Sequence, residues 1–213
     1  IRAVEHRDTP VLGIHLGDLG FLAKVTLKDL FQRLDQMASG SFIVEQRTMA
    51  KAVISKNGTK KKHNALNDFV VSNGESHRML NTQVHVNDQL VANYKSDGLI
   101  IATPTGSTAY SLSSGGPIIT PDVDSFVITP ISPHSLTSRP LVVPADSEIE
   151  IDFPGEEEKI TFITDGQIHE TLDPTCSIII NRAEFETGLI NFKDNDYFQT
   201  LRTKMGWGKR GEH

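Results

Sequence analysis

Short segments in which apolar and polar residues alternate follow one another from Ser41 onward. Turn signals such as Asn57-Gly58, Asn73-Gly74 and Asn87-Asp88 separate them about every ten residues, which is typical of antiparallel β architecture. The pattern predicts strands at Met49–Ser55, Asp68–Ser72, Leu80–Val86, Leu90–Tyr94, Ser125–Ile131, Leu141–Val143, Glu148–Phe153, Lys159–Thr164, Thr175–Asn181 and Leu189–Phe192. We therefore expect a mainly antiparallel, β-sandwich-like domain over residues 46–188.

The two ends of the chain follow other patterns. Ile1–Glu5 resembles the end of a helix, and Pro10–Ile14 predicts a short buried strand. After Thr26, a suitable N-cap, apolar residues recur on one helical face until Gly40. Residues 1–45 are therefore interpreted as the C-terminal part of an α/β, Rossmann-like domain. Residues 189–213 return to helical spacing and are expected to pack back on that domain.

Residues 97–119 form the most distinctive stretch. Leu99–Ala102 is strand-like, Pro104 and Gly106 interrupt it, and Ser107 or Thr108 can cap a short helix that ends at residues 115–117. Unpaired N–H groups at such a helix start can bind phosphate or hydroxyl groups. An ordinary capped turn is the alternative, but the stretch holds more hydroxyls than one cap requires.

Composition excludes several classes of function. The 213 residues carry a net charge of −6, which argues against a nucleic-acid surface, and the basic run Lys60-Lys61-Lys62 is interpreted as a solvated loop. The single cysteine, Cys176, precludes an internal disulfide, fits a reducing, cytoplasmic compartment and is expected in the core. The eight histidines show no zinc-binding spacing, and no apolar run reaches the roughly 18 residues of a membrane helix. P-loop, Rossmann-fingerprint and hydrolase-elbow motifs are absent from the sequence.

Several motifs together point to one family. They are Val11-Leu12-Gly13-Ile14, Leu19-Gly20-Phe21-Leu22, Ala65-Leu66-Asn67-Asp68, the block from Asp97 to Ile118, Pro133-His134-Ser135-Leu136, Arg139-Pro140-Leu141-Val142, Asp165-Gly166-Gln167 and Leu201-Arg202-Thr203-Lys204-Met205-Gly206-Trp207. This set resembles the NAD kinases, which phosphorylate the adenosine ribose 2′-hydroxyl of NAD to give NADP. The long block is the most specific part of the resemblance.

The resemblance implies a dinucleotide pocket. Asn67 and Asp68 would bind ribose hydroxyls, because a carboxylate accepts and an amide both donates and accepts. The other implied contacts are Thr108, Ala109, Tyr110, Ser111, Leu112 and Ser113 around the adenosine, Asp97 at the nicotinamide half, Gln167 beside Asp165 at a polar edge, Arg78 and Lys95 near the pyrophosphate, and Phe21 on a flat ring. Without the resemblance, Asn67-Asp68 is a turn, Phe21 a core residue, and Arg78 and Lys95 solvated charges.

The sequence departs from the family pattern in two places. The family's Gly-Gly-Asp-Gly-Thr loop, whose Asp is taken as the general base, is not in these residues and is expected before Ile1. No catalytic residue is therefore assigned here, and a protein of these residues alone is predicted to lack kinase activity. Asp68 stands where the family usually has Glu, so the ribose either sits closer or is bridged by water.

The implied reaction uses ATP with Mg²⁺ or another divalent metal, and no residue is assigned as a metal ligand. By resemblance we also expect a homodimer or homotetramer, in which neighbouring subunits can complete the pocket. Nucleic acid and membranes are not expected partners. The alternatives are a dinucleotide-binding module or sensor without catalysis and, less favoured, a related lipid or sugar kinase without affinity for NAD.

Overall fold

The alternating segments form strands in the structure, a computed structural model that describes residues 4, 7–17, 20–74 and 78–207. The strands are β1 (Ile14–His15), β2 (Val25–Thr26), β3 (Ile43–Lys56), β4 (Thr59–Ala65), β5 (Asp68–Ser72), β6 (Leu80–Val86), β7 (Gln89–Ser96), β8 (Gly98–Ala102), β9 (Ser125–Ile131), β10 (Leu141–Pro144), β11 (Ile149–Asp152), β12 (Ile160–Thr164), β13 (Ile168–Leu172) and β14 (Ser177–Asn191). The α-helices are α1 (Leu30–Ala38), α2 (Tyr110–Ser113) and α3 (Tyr197–Met205). The fold is thus mostly antiparallel β with few helices.

Two six-stranded sheets organise the β strands. Sheet I has the order β10-β9-β8-β5-β12-β13, and sheet II has the order β4-β3-β14-β11-β6-β7. One hydrophobic cluster takes side chains from both sheets, including Phe69 and Phe162 from sheet I and Val84 and Ile149 from sheet II. Because one continuous core joins the inner faces, the predicted sandwich-like arrangement is confirmed for these strands.

Sheet I is buried on its second face as well. Val70, Ile100 and Val127 form a separate cluster there, and Ile119 packs against it. Every residue of β8 is buried as a result. Burial on both faces explains why Leu99–Ala102 reads as a continuous apolar run and not as an alternating one.

The chain divides into two compact units, residues 1–47 with 187–213 and residues 48–186. In the first unit, β1 pairs in parallel with β2, and Val11 bridges Leu189. The ring centroids of Phe21 and Tyr197 lie 6.2 Å apart in the same unit. The predicted boundaries at 45 and 189 stay a prediction, as does the α/β character of the first segment.

Helix α1 begins later than its predicted cap. Thr26 belongs to β2, and its hydroxyl donates to the Asp29 carboxylate over 2.6 Å just before the first helical residue, Leu30. The predicted stop is correct, since Gly40 has φ +73°. Of the apolar residues predicted in the tail, Leu201 is buried, whereas Phe198 and Trp207 are exposed. The predicted helix end at Ile1–Glu5 falls outside the described residues except for Val4, and Leu19 is also outside them.

The interpretation of Lys60-Lys61-Lys62 as a loop was wrong. Asn57 and Gly58 both have positive φ and form a tight turn, so the lysines continue into β4 and pair with Val53–Ser55 of β3. Their side chains are exposed, as expected. Charged residues on an outer strand discourage pairing with another chain, which suits β4 at the edge of sheet II.

Candidate functional site

The Asn67-Asp68 turn is held by the carboxylate of Asp165. One carboxylate oxygen of Asp165, Oδ1, accepts from the backbone N–H groups of Asn67 and Asp68, at 2.7 and 3.1 Å, and Oδ2 accepts from that of Leu66 at 3.1 Å. In return, the N–H of Asp165 donates to the carbonyl of Asp68 over 2.9 Å. Because both oxygens of Asp165 bind backbone amides, this side chain positions the turn.

Asp68 is the first residue of β5 and is 4% exposed. Burial, with a further contribution from the nearby charge of Asp165, raises the pKa of Asp68 to about 7. Near neutral pH the carboxyl group can therefore keep its proton, which an exposed aspartate would have lost. It can accept a hydrogen bond when ionised and donate one when protonated.

The segment after β8 packs directly against the same turn. Thr103 donates from its N–H to the carbonyl of Asn67 over 2.8 Å, and its hydroxyl donates to the carbonyl of Leu66. A Cβ added to Gly106 would lie 2.0 Å from the carbonyl oxygen of Asn67. Gly106 is thus required for this close approach of two backbones. The sequence contained one signal of this close approach, namely a glycine within the most specific motif.

The predicted helix start at Ser107 or Thr108 was wrong. A 3₁₀ turn covers Gly106–Thr108, and α2 follows as four residues, Tyr110–Ser113. The Ser107 hydroxyl lies 2.6 Å from the carbonyl of Pro104 and accepts from the N–H of Ile119 at 3.0 Å. This hydroxyl fixes the two ends of the segment to each other and caps no helix. A helix of one turn provides no substantial dipole, so the predicted anion site at its start is not supported.

The remaining adenosine candidates differ in accessibility. Ser111 is fully buried, and its hydroxyl lies 2.9 Å from that of Thr129. Tyr110 is 47% exposed. Thr108, Ala109 and Leu112 are half-buried, and Ser113 is exposed. Ser111 therefore fits a structural role, whereas Tyr110 and Thr108 have surface that a ligand can reach.

Asp97 lies at the opposite end of β8 from this turn. The register pairs Asp68 with Ala102 and Ser72 with Gly98, so Asp97 follows the far end of β5. The five residues of β8 separate Asp97 from Thr103, and the six residue steps between them span about 20 Å. The structure therefore does not bring Asp97 next to Asn67 and Asp68 within one chain.

The predicted cations are at the same end as Asp97. Lys95 is an exposed residue of β7, and its carbonyl accepts from the N–H of His134 over 2.9 Å. Arg78 precedes β6, whose first residue, Leu80, pairs with Ser96, and the Arg78 guanidinium is 3.7 Å from the carboxylate of Glu158. The candidates in the second unit thus form an Asn67-Asp68 group and an Asp97 group.

The last two predicted contacts lie outside β5 and β8. Gln167 is exposed in the turn between β12 and β13, two residues after Asp165. Phe21 belongs to the first unit, where it is half-buried and contacts Tyr197.

No helix within residues 7–17, 20–74 and 78–207 has the length and apolar character needed to cross a membrane.

The comparisons with known proteins agree on one family. A model of the ATP-NAD kinase C-terminal domain matches residues 66–192. Curated relatives named NAD kinase share 41% identity over 210 residues in Geotalea daltonii and 42% over 211 residues in Geobacter sp. strain M21. Both alignments cover 98% of this chain, and they cover 74% and 73% of the respective relatives.

Solved structures of the same family have a similar fold. A yeast NADH kinase complexed with NADH gives a TM-score of 0.87 at 30% identity, covering 95% of this chain. An NAD kinase from Archaeoglobus fulgidus in complex with ATP gives 0.76 at 27% identity, covering 92%. The chain spans 60% of the length of the yeast protein and 74% of that of the archaeal one.

Proposed function

The chain belongs to the NAD kinase family, and on this premise we propose that it takes part in the phosphorylation of the adenosine ribose 2′-hydroxyl of NAD by ATP. The observation that carries the proposal is the identity of about 41% with proteins named NAD kinase over nearly the whole chain. The Asn67-Asp68 turn supports it, since a half-buried amide next to a buried carboxyl group suits vicinal hydroxyls.

The Asn67-Asp68 group would bind and orient the acceptor. Phosphoryl transfer depends on positioning and on charge stabilisation more than on covalent help from the protein. Asp165 and Thr103 hold the backbone of the turn, so the side chains of Asn67 and Asp68 are presented from a rigid support. Tyr110 and Thr108 offer accessible surface for the adenosine.

The proton acceptor for the 2′-hydroxyl is assigned by resemblance to the Gly-Gly-Asp-Gly-Thr loop, which these residues do not contain. Mg²⁺ would enter with the phosphates of ATP and stabilise their charge. Among the described residues, one group of side chains could hold a metal ion, and it consists of His85, Glu150 and Asp152. Its histidine does not match the preference of Mg²⁺ for oxygen ligands. We therefore assign no side chain of this chain to Mg²⁺.

We propose that the second half of the dinucleotide site is completed in a homodimer or homotetramer. The span of about 20 Å along β8 between Asp97 and Thr103 supports this, because the Asp97 group and the Asn67-Asp68 group are too far apart to bind the same half of the dinucleotide, so that two chains can each supply one of them. One chain would then supply Asn67, Asp68 and Gln167. A neighbouring chain would supply Asp97 together with its own Arg78 and Lys95. Phe21 keeps its proposed contact with a flat ring.

The test combines activity with binding. A protein that carries both these residues and the Gly-Gly-Asp-Gly-Thr loop is incubated with NAD, ATP and Mg²⁺, and NADP is measured. The present chain is titrated with NAD. We expect NADP from the first and binding by the second. Binding of NAD without formation of NADP would indicate a dinucleotide-binding module. The absence of both NAD binding and NADP formation would refute the assignment.

A further inference from the structure

A histidine and two carboxylates meet on the outer face of sheet II, and none of the three is among the proposed dinucleotide contacts. His85 is on β6, and Glu150 and Asp152 are on β11. One possible ligand atom from each of the three lies within 4.8 Å of the other two. The register explains the meeting, since Glu150 pairs directly with His85 and residues two apart on a strand share a face.

The grouping leaves a polar atom without a partner. Nδ1 of His85 is buried and makes no hydrogen bond to any residue in the described part of the chain. An unpartnered buried nitrogen is costly, and two carboxylates side by side repel each other. Within the same residues, no ion pair with Lys or Arg is found for Glu150 or Asp152. A cation bound by Nδ1 of His85 and by both carboxylates would remove both costs.

The supporting strands make the arrangement rigid. β11 lies between β14 and β6, so it is hydrogen-bonded on both sides. The register between β6 and β7 shifts at Val84 and His85, and such bulges change the direction of a side chain. Ser177 on β14 donates from its hydroxyl to Oε1 of Glu150 over 3.1 Å, which orients the carboxylate and leaves Oε2 for another partner.

We propose that His85, Glu150 and Asp152 bind a divalent transition-metal ion of the Zn²⁺ class. One imidazole and two carboxylates are ligands that Zn²⁺ accepts, whereas Mg²⁺ and Ca²⁺ prefer oxygen alone. Ligand atoms about 2 Å from one ion are about 3 to 4 Å apart, so small side-chain rotations close the site. Because all three side chains are partly exposed, water completes the coordination.

This site differs from zinc sites that a sequence reveals. Those sites have ligands at short, regular spacing on one segment, whereas here 65 positions separate His85 from Glu150. The register of β6 with β11 brings them together. The ion would join two neighbouring strands and stabilise sheet II, and the inference does not depend on the proposed kinase activity.

The test is a calorimetric titration of the metal-free chain with Zn²⁺. We expect one equivalent to bind to the wild type and excess Mg²⁺ not to displace it. His85→Ala is expected to lose this equivalent, Asp152→Asn to bind more than about tenfold more weakly, and Ser177→Ala to lose about tenfold through the orientation of Glu150. His169→Ala, which removes an exposed histidine on β13, is the matched control and should bind as the wild type does.

Melting curves of the metal-free variants show whether they fold, and Asp152→Asn, which is isosteric, decides the question if His85→Ala does not fold. The proposal is overturned if the wild type binds no Zn²⁺. It is equally overturned if folded His85→Ala and Asp152→Asn bind Zn²⁺ as tightly as the wild type.

Discussion

Sheet I and sheet II share one core but differ in what lies on their second faces. The second face of sheet I is covered by the segment that contains Ile119, and the carboxyl group of Asp68, at the start of the interior strand β5, is buried beside Asp165. The second face of sheet II presents the side chains of Glu150 and Asp152, which are partly exposed. Burial of the second face therefore decides what its carboxyl groups can do. The pKa of a buried carboxyl group is raised, whereas an accessible carboxylate is free to bind an ion.

The largest effect is expected at Gly106. Gly106→Ala places a methyl group 2.0 Å from the carbonyl oxygen of Asn67, so the two backbones must separate. We expect a loss of more than about 3 kcal/mol in the free energy of unfolding, measured by urea denaturation. Gly17→Ala, where nothing lies within 4 Å of the added Cβ, is the control. Equal stability of the two variants would contradict the observed approach of residue 106 to Asn67.

Asp68 makes the stability of the chain dependent on pH. Its pKa is about 7 in the folded state and lower in the unfolded chain, so the folded state holds the proton more tightly. The contribution of Asp68 to stability should therefore be largest below about pH 4, fall as the pH rises towards 7 and level off above it. The total loss is on the order of 4 kcal/mol. Asp68→Asn should flatten this slope and be more stable than the wild type at pH 8, as seen in melting curves across the pH range.

A slope that persists unchanged in Asp68→Asn would assign the titration to another group. Asp146→Asn serves as the control for general charge effects, because Asp146 is an exposed turn residue.

The removal of Asp165 should weaken both the turn and the ligand contact. Asp165→Ala leaves three backbone N–H groups without their acceptor, which is expected to cost about 2 to 3 kcal/mol. NAD affinity, measured by calorimetry on the folded fraction, should fall more than about tenfold, which corresponds to about 1.4 kcal/mol. If Asp165→Ala bound NAD as tightly as the wild type, the Asn67-Asp68 turn would not be part of the NAD site.

The smallest effect on stability is expected at Tyr110. Because its side chain is 47% exposed, Tyr110→Ala should change the free energy of unfolding by less than about 1 kcal/mol. It should nevertheless weaken NAD binding about tenfold if the ring packs on the adenosine. Phe198→Ala, which removes an exposed ring from α3, should leave NAD binding unchanged. Thr108→Val is expected to weaken NAD binding similarly, with a somewhat larger loss of stability than Tyr110→Ala, because it removes the hydrogen bond from the Thr108 hydroxyl to the carbonyl of Thr105.

Much of the β fold could be predicted because the signals are local. Alternation and turn residues locate β5, β6 and β9 at their observed bounds, and they place β12 within one residue. β4 was missed because three consecutive lysines hide its alternation, and β13 because polar residues dominate it. The start of α1 was misplaced because Thr26 pairs with His15 in a strand, a tertiary contact that outweighs its capping preference.

The site was predictable as a set of residues but not as an arrangement. The resemblance named Asn67, Asp68 and Asp165, yet it did not predict that Asp165 binds amides or that Asp68 pairs with Ala102, at the end of β8 opposite to Asp97. Both facts depend on the strand register, which a single sequence does not fix at this range. The same reason hid the meeting of His85 with Glu150 and Asp152.

The central claim is that the Asn67-Asp68 turn binds the adenosine ribose hydroxyls. It is tested most directly by titrating NAD into the wild type and into Asn67→Ala, with Asn93→Ala on β7 as the control. We expect Asn67→Ala to bind NAD about 10 to 100 times more weakly, since a hydrogen-bonding amide is lost, with little change in melting temperature. Equal NAD affinity of a folded Asn67→Ala and the wild type would contradict the claim.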